Sequence, residues 1–280
     1  MKKMILLSLT LLSMGQLHAQ RATKISLTKG QKIRMVSHDT SMINQKRGEE
    51  TMNMKTISGS STELEIIGEA NDQYTATSTL TKMKIDFDGF GMKELYDSED
   101  KDKQNGMMAG QLKDVIGKAD TLTLDNNGKK IGDDESDKKG KGKGNGRGGG
   151  MMKMMNQGSG NIENAFLIVP AEAAVGSGWK KDATKDDVRS QTIYFVEKIE
   201  GNLATVSFKK KSKGSITRNG GPGGEMKIDI DNLSSGMITV DMSTGLVKTY
   251  TETTDTKSKT FVMGQEMPSD GKVISDIVFE

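Results

Sequence analysis

Tyr74-Thr75-Ala76-Thr77-Ser78-Thr79-Leu80 alternates, and the pattern runs on through Met83 and Ile85 to Phe87. A period of two is that of a strand with one dry face and one wet face. The same period recurs at Thr62–Ile66, Thr192–Val196, Leu203–Phe208, Met237–Asp241, Leu246–Tyr250 and Thr260–Met263. Threonine is abundant in these runs, as half-exposed strands favour. Turn residues separate them: Glu69-Ala70-Asn71-Asp72, Asp125-Asn126-Asn127-Gly128, Glu200-Gly201-Asn202 and Asp241-Met242-Ser243-Thr244-Gly245. Asn, Asp and Gly tolerate the positive φ that hairpins need. The expectation is a mainly β protein: an antiparallel curved sheet or half-barrel with one or two short helices. One helix is expected near 107–116, where Met107, Met108, Leu112, Val115 and Ile116 share a face and Gly117 stops it.

Residues 1–19 carry a different signal. Lys2 and Lys3 precede the apolar run Met4–Leu12, and Leu17-His18-Ala19 ends it. This reads as a secretory signal peptide cleaved near Ala19, too short in its apolar part to span a bilayer. The expected product is exported, periplasmic or extracellular, and free in solution, with no transmembrane span in the mature chain. Lys2 and Lys3 equal the whole formal charge of +2, so residues 20–280 are neutral overall. A neutral chain gives no general reason to bind nucleic acid.

Cysteine is absent and His38 is the one histidine beyond residue 18. That excludes disulfides, thiolate chemistry and a multi-histidine zinc site. His38 lies in the polar stretch Ser37-His38-Asp39-Thr40 and reads as an exposed strand or turn residue. No cofactor and no catalytic constellation is indicated.

The segment 128–160 is low in complexity. Asp133-Asp134-Glu135-Ser136-Asp137 gives way to Gly-Lys repeats and then Met151-Met152-Lys153-Met154-Met155. Glycine raises the chain entropy that folding must remove, and little apolar surface compensates. A disordered Gly/Lys-rich linker is expected, with β-rich halves at 20–127 and 161–280. The halves share an order of elements: a Gly-containing turn, a hairpin, then a strand ending in Asp and a Gly turn. They read as copies of one unit, with chance likeness of Thr-rich strands as the alternative.

Five features bear on chemistry. Met151, Met152, Met154 and Met155 are weak metal candidates, since thioethers suit Cu(I); filling apolar gaps is the simpler role. The 133–137 acids lack the spacing of a Ca²⁺ loop. Lys209-Lys210-Lys211-Ser212-Lys213 reads as a guard on a sheet edge. Asp86 and Asp88 form a carboxylate pair with nothing to mark a cleft. Trp179 is the sole tryptophan, a core anchor or a contact for ligand.

Three motifs resemble a family of secreted bacterial proteins of Bacteroidetes type, the domain of unknown function numbered 6263. They are Leu27-Thr28-Lys29-Gly30-Gln31, the Leu-Thr-Leu-Asp-x-x-Gly run at Leu122–Gly128, and Pro170 followed by Val175-Gly176-Ser177-Gly178-Trp179. The family pattern has an acidic residue where this chain has Ser177, and it lacks the long Gly-Lys insert. The resemblance implies a secreted β-rich protein and carries over no catalytic residue.

The leading expectation is a non-catalytic binding protein for an apolar or lipid-like ligand, or for an envelope partner. The alternatives are a Met-rich periplasmic metal-binding protein and an extracytoplasmic hydrolase. A curved sheet with an apolar face encloses a groove, which motivates the first.

Overall fold

The computed structural model describes residues 21–132, 161–185, 187–219, 225–262 and 265–280. The leader expected at 1–19, the acids at 133–137, Met151–Met155 and Gly220–Gly224 lie outside the described residues. Twelve strands are described: β1 Lys32–Arg47, β2 Glu50–Ala70, β3 Gln73–Gly89, β4 Met92–Asp97, β5 Ala119–Leu124, β6 Lys130–Ile131, β7 Gly178–Lys185, β8 Val188–Glu200, β9 Leu203–Asn219, β10 Glu225–Asp241, β11 Leu246–Val262 and β12 Gln265–Phe279. They form one antiparallel open sheet that does not close into a barrel. The order is β6-β5-β3-β2-β1-β12-β11-β10-β9-β8-β7, with β4 paired to the far half of β3. The expected mainly β, antiparallel architecture is what is found.

The strands are far longer than the apolar alternation implies. β2 spans 21 residues, of which the alternation at Thr62–Ile66 covers only the later part. In β10 and β11 the alternation continues in another alphabet: hydroxyl or aliphatic on one face, charge on the other. Asp229, Asp231, Asp255, Lys257 and Lys259 all take the same side of the sheet.

One helix, α1 Met107–Leu112, is shorter than the run expected at 107–116. Its C-terminal residues continue only as turns, with Val115 and Ile116 both donating to the Leu112 carbonyl. Met108, Ala109 and Leu112 pack on Met83, Ile85, Phe87 and Tyr96 of β3 and β4, a small core at one side of the sheet. The Glu94 carboxylate accepts the Met108 N–H at 2.7 Å, supplying the helix start with an acceptor that Gly106 lacks.

The main core lies at the opposite strand ends. Ile33, Met35, Leu64, Ile66, Val206, Ile238, Val240 and Ile277 form it with the irregular segments that carry Ile25, Leu27, Phe166 and Val169. These segments show that the sheet curls. Ile25 N–H donates to Asn126 in the β5–β6 turn at 2.8 Å, and Ser26 N–H donates to Thr244 in the β10–β11 turn at 3.0 Å. Adjacent residues thus tie together turns that sit six strands apart. On a flat sheet those strands would be about 29 Å apart, whereas the two carbonyls must lie within about 10 Å. The face carrying the core is therefore the concave one.

The halves repeat a local device. Gly30 (φ +84°) donates to the Ile66 carbonyl, and Ile66 donates back to Gln31. Gly176 (φ +85°) donates to the Val196 carbonyl, and Val196 donates back to Ser177. Each recipient is fully buried and precedes a register shift in its strand. Both glycines belong to the motifs singled out above.

Lys209–Lys213 does not guard an edge. β9 pairs with β8 on one side and β10 on the other. Lys209, Lys211 and Lys213 stand on the convex face by alternation, and Lys210 is half-buried on the concave face between Thr192 and Ser234. A run of lysines reads as an edge only while the partners of its strand are unknown.

Candidate concave site

One row of residues crosses ten strands at the top of the packed core. Trp179 stands opposite Tyr194, Tyr194 opposite Phe208, and Phe208 opposite Gly236. The row continues through Glu252, Ser275, Asp39 and Ser58 to Ile85 and Tyr96. Its first part is aromatic. Trp179 stacks on Tyr194 with centroids 4.9 Å apart, Tyr194 meets Phe208 at 6.3 Å, and Phe208 stacks on Tyr250 at 5.5 Å. Gly236 makes the last contact possible, because any side chain there would overlap the Thr251 carbonyl and the Phe208 ring. Trp179 is thus partly buried beside the core at the sheet's β7 edge.

Above this row the concave face changes character. On β2, β1, β12, β11 and β10 the register runs without a shift from the row to the hairpin tips. Alternation therefore assigns every side chain to a face. The concave side carries Ser, Thr, Gly and half-buried aliphatics such as Ile43, Met54, Ile228 and Ile230. Hydroxyls pair across the strands, Ser234 with Thr254 at 2.7 Å and Ser258 with Ser269 at 2.6 Å, and just below the row Ser37 with Ser60 at 2.8 Å. The charges of these strands face the convex side. On these five strands the ionisable groups on the concave side from this row upward are Asp39, Glu252 and, at the β1–β2 tip, Arg47 and Glu50.

Asp39 is the unusual member. It is 7% exposed, and neither carboxylate oxygen has a hydrogen-bond partner. Burial pushes its carboxyl above the usual range. The Ser275 and Ser37 hydroxyls, close by but closing no hydrogen bond to it, and the His38 charge offset this in part. Two strands along the same row, Glu252 accepts the Tyr250 hydroxyl at 2.8 Å. Burial first, then the adjacent carboxylate, raises the Tyr250 phenol and keeps it a donor.

The other residues singled out by sequence do not converge. His38 is exposed on the convex face, over Gly59. Asp86 and Asp88 are exposed there too, with Asp88 paired to Lys93 at 2.9 Å. The methionine cluster lies outside the described residues, and among those described no three His, Asp or Glu side chains gather as a metal site. No described helix is long and apolar enough to cross a membrane. Asp39 escaped the sequence reading because its neighbours Ser37, His38 and Thr40 are polar. The available signal was the match of Ser37, Asp39 and Ser41 with the hydroxyl-rich alternation of β2 and β12.

No family model matches the chain, and no curated protein matches it. Among solved structures, the one titled "Lipid-protein interactions in lipovitellin" aligns over 91% of this chain and 25% of its own, with 12% identity and a TM-score of 0.51. The fold is similar to part of lipovitellin. This chain spans about a quarter of that protein, and the likeness concerns the fold alone. A mutant of the Rh. blastica porin aligns over 88% of this chain and 100% of its own, at 9% identity and a TM-score of 0.26, too low to bear on this chain.

Proposed function

We propose that this is an exported, non-catalytic binding protein that holds an amphiphilic, lipid-like ligand along the upper concave face. One observation carries the reading: five adjacent strands send most of their charges to the convex side and keep hydroxyls and half-buried aliphatics on the concave side. A wall with so few charges desolvates at low cost and suits a hydrocarbon chain with polar substituents. The lower concavity is filled by the protein's own core, so the ligand is assigned to the part above the aromatic row. Lipovitellin, whose structure is described for its lipid–protein interactions, lends support through fold alone. Export rests on the leader at residues 1–19, and kinship with the 6263 family on the three motifs.

The hydrolase reading keeps one foothold, the buried Asp39 among serines, but His38 points to the opposite face and no serine bonds the carboxylate. Binding is therefore preferred.

Titration with dodecanol, followed by Trp179 emission and by calorimetry, tests the reading. Saturable binding is expected, and Ile43→Glu or Ile230→Glu should weaken it at least tenfold with an unchanged far-UV spectrum. Unaltered affinity in both variants would overturn it.

A further inference from the structure

The buried carboxylate of Asp39 gives the concave site a chemical preference. We infer that Asp39, with Glu252 and the Ser275 hydroxyl between them, receives an organic ammonium group, so that the ligand is a cationic amphiphile. The inference rests on the binding reading above.

A carboxylate with both oxygens unpartnered and out of water is costly unless a cation or donor meets it. No cation of the protein stands beside it on this face: Lys210 is four strands away on β9, about 19 Å between backbones. Arg47 is eight residues along β1, about 26 Å away on an extended strand. His38 and Lys272 belong to the convex side of the same sheet. The groups that do flank Asp39 by register are Ser275 and Ser58, with Ser37 and Ser41 on its own strand. Beyond Ser275 the next side chain in the row is a second acid, Glu252. The two carboxylates sit two strand spacings apart, about 10 Å between backbones, with a hydroxyl between. Side chains of that length can converge on one ammonium, which takes up to three acceptors. Aliphatic residues lie further up the same face, at Ile43 and Ile230, where an alkyl chain would run.

A metal ion is the other cation to weigh. A single buried carboxylate with hydroxyls is a poor cage for Ca²⁺, which takes six to eight oxygens and favours several charged ones. No third acid joins Asp39 and Glu252 among the described residues. An ammonium with a hydrocarbon tail uses both the acids and the lane above them.

The test compares dodecylammonium with dodecanol at pH 7, on the purified protein and on Asp39→Asn and Glu252→Gln. Charge-assisted hydrogen bonding should make dodecylammonium bind roughly ten- to a hundredfold more tightly. Asp39→Asn should bring the ratio of the two affinities close to one, and Glu252→Gln should lower it in part. Melting curves of both variants establish that they are folded, and Asp39→Ser repeats the test if the asparagine variant is not. A ratio near one in the unaltered protein, or one that survives Asp39→Asn, overturns the inference while leaving lipid-like binding intact. Failure of both probes to bind overturns the binding reading and this inference together. Calcium chloride forms the last arm: Asp39-dependent binding of Ca²⁺ that excludes dodecylammonium would make this a metal site instead.

Discussion

The Phe166 ring lies so close upon Gly128 that a Cβ at residue 128 would overlap it. Phe166 also bridges to Leu246, and Leu167 donates to the Gly245 carbonyl at 2.9 Å. One short segment thereby joins the turn after β5 to the turn before β11, across the mouth of the curl.

Gly128→Ala should damage this joint twice, by the collision and by the positive φ of +77° at that position. The expected loss is about 2–4 kcal/mol, read from urea unfolding midpoints. Gly30→Ala offers a contrast: its φ is +84° but nothing lies within reach of an added Cβ. It should cost about 1 kcal/mol, the conformational part alone.

Arg21 is the second fastening. Its guanidinium donates to the carbonyls of Pro170 and Ala171 at 3.1 and 2.9 Å, and to that of Ala173. Arg21→Ala should remove about 1.5–3 kcal/mol, the usual worth of hydrogen bonds to a charged group. Native-state hydrogen exchange should show faster opening at Ala173 and Leu167, with the distal strands unaffected.

Asp39 makes stability depend on pH in a fixed direction. Its carboxyl is raised in the folded state, so the folded protein holds the proton to higher pH than the unfolded chain does. Stability contributed by the neutral form is complete below the unfolded carboxyl range, about pH 4, and declines as pH rises through the folded value. The charges nearest in effect are His38, which opposes the shift, and Asp276, which adds to it. Asp39→Asn should therefore melt higher than the unaltered protein at pH 7 and level with it below pH 4. A gain that is equal at both pH values would contradict this account.

Gly236→Ala should displace the Phe208 ring from its place over the strand and press on the Thr251 carbonyl. The expected cost is about 1–3 kcal/mol, with a loss of near-UV dichroism from the Phe208–Tyr250 stack. The same substitution should weaken dodecanol binding, since the aromatic row forms the floor of the proposed site.

Most of the architecture was legible because strands announce themselves locally. Alternation at 74–87 and 203–208, with Asn, Asp and Gly at the turns, is written in adjacent residues. The upper half of β11 was harder to read. Its two faces, Thr254, Thr256 and Ser258 against Asp255, Lys257 and Lys259, are both polar, so a search for apolar periodicity passes over it. The concave site suffered most, since a buried acid in a run of polar residues looks like surface.

The amino-acid sequence by itself determined the antiparallel β class, the places where the chain turns, and the lack of thiol or multi-histidine chemistry. These follow from side-chain size, spacing and backbone preference within a few residues. Only the tertiary structure decided that β1 pairs with β12, that the lysine run lies inside the sheet, and that Asp39 is buried without a partner. Each depends on residues far apart in the chain: Asp39 faces Ser275 because the last strand returns to lie beside the first. A carboxylate's surroundings are a property of that closure, and no local pattern around residue 39 contains them.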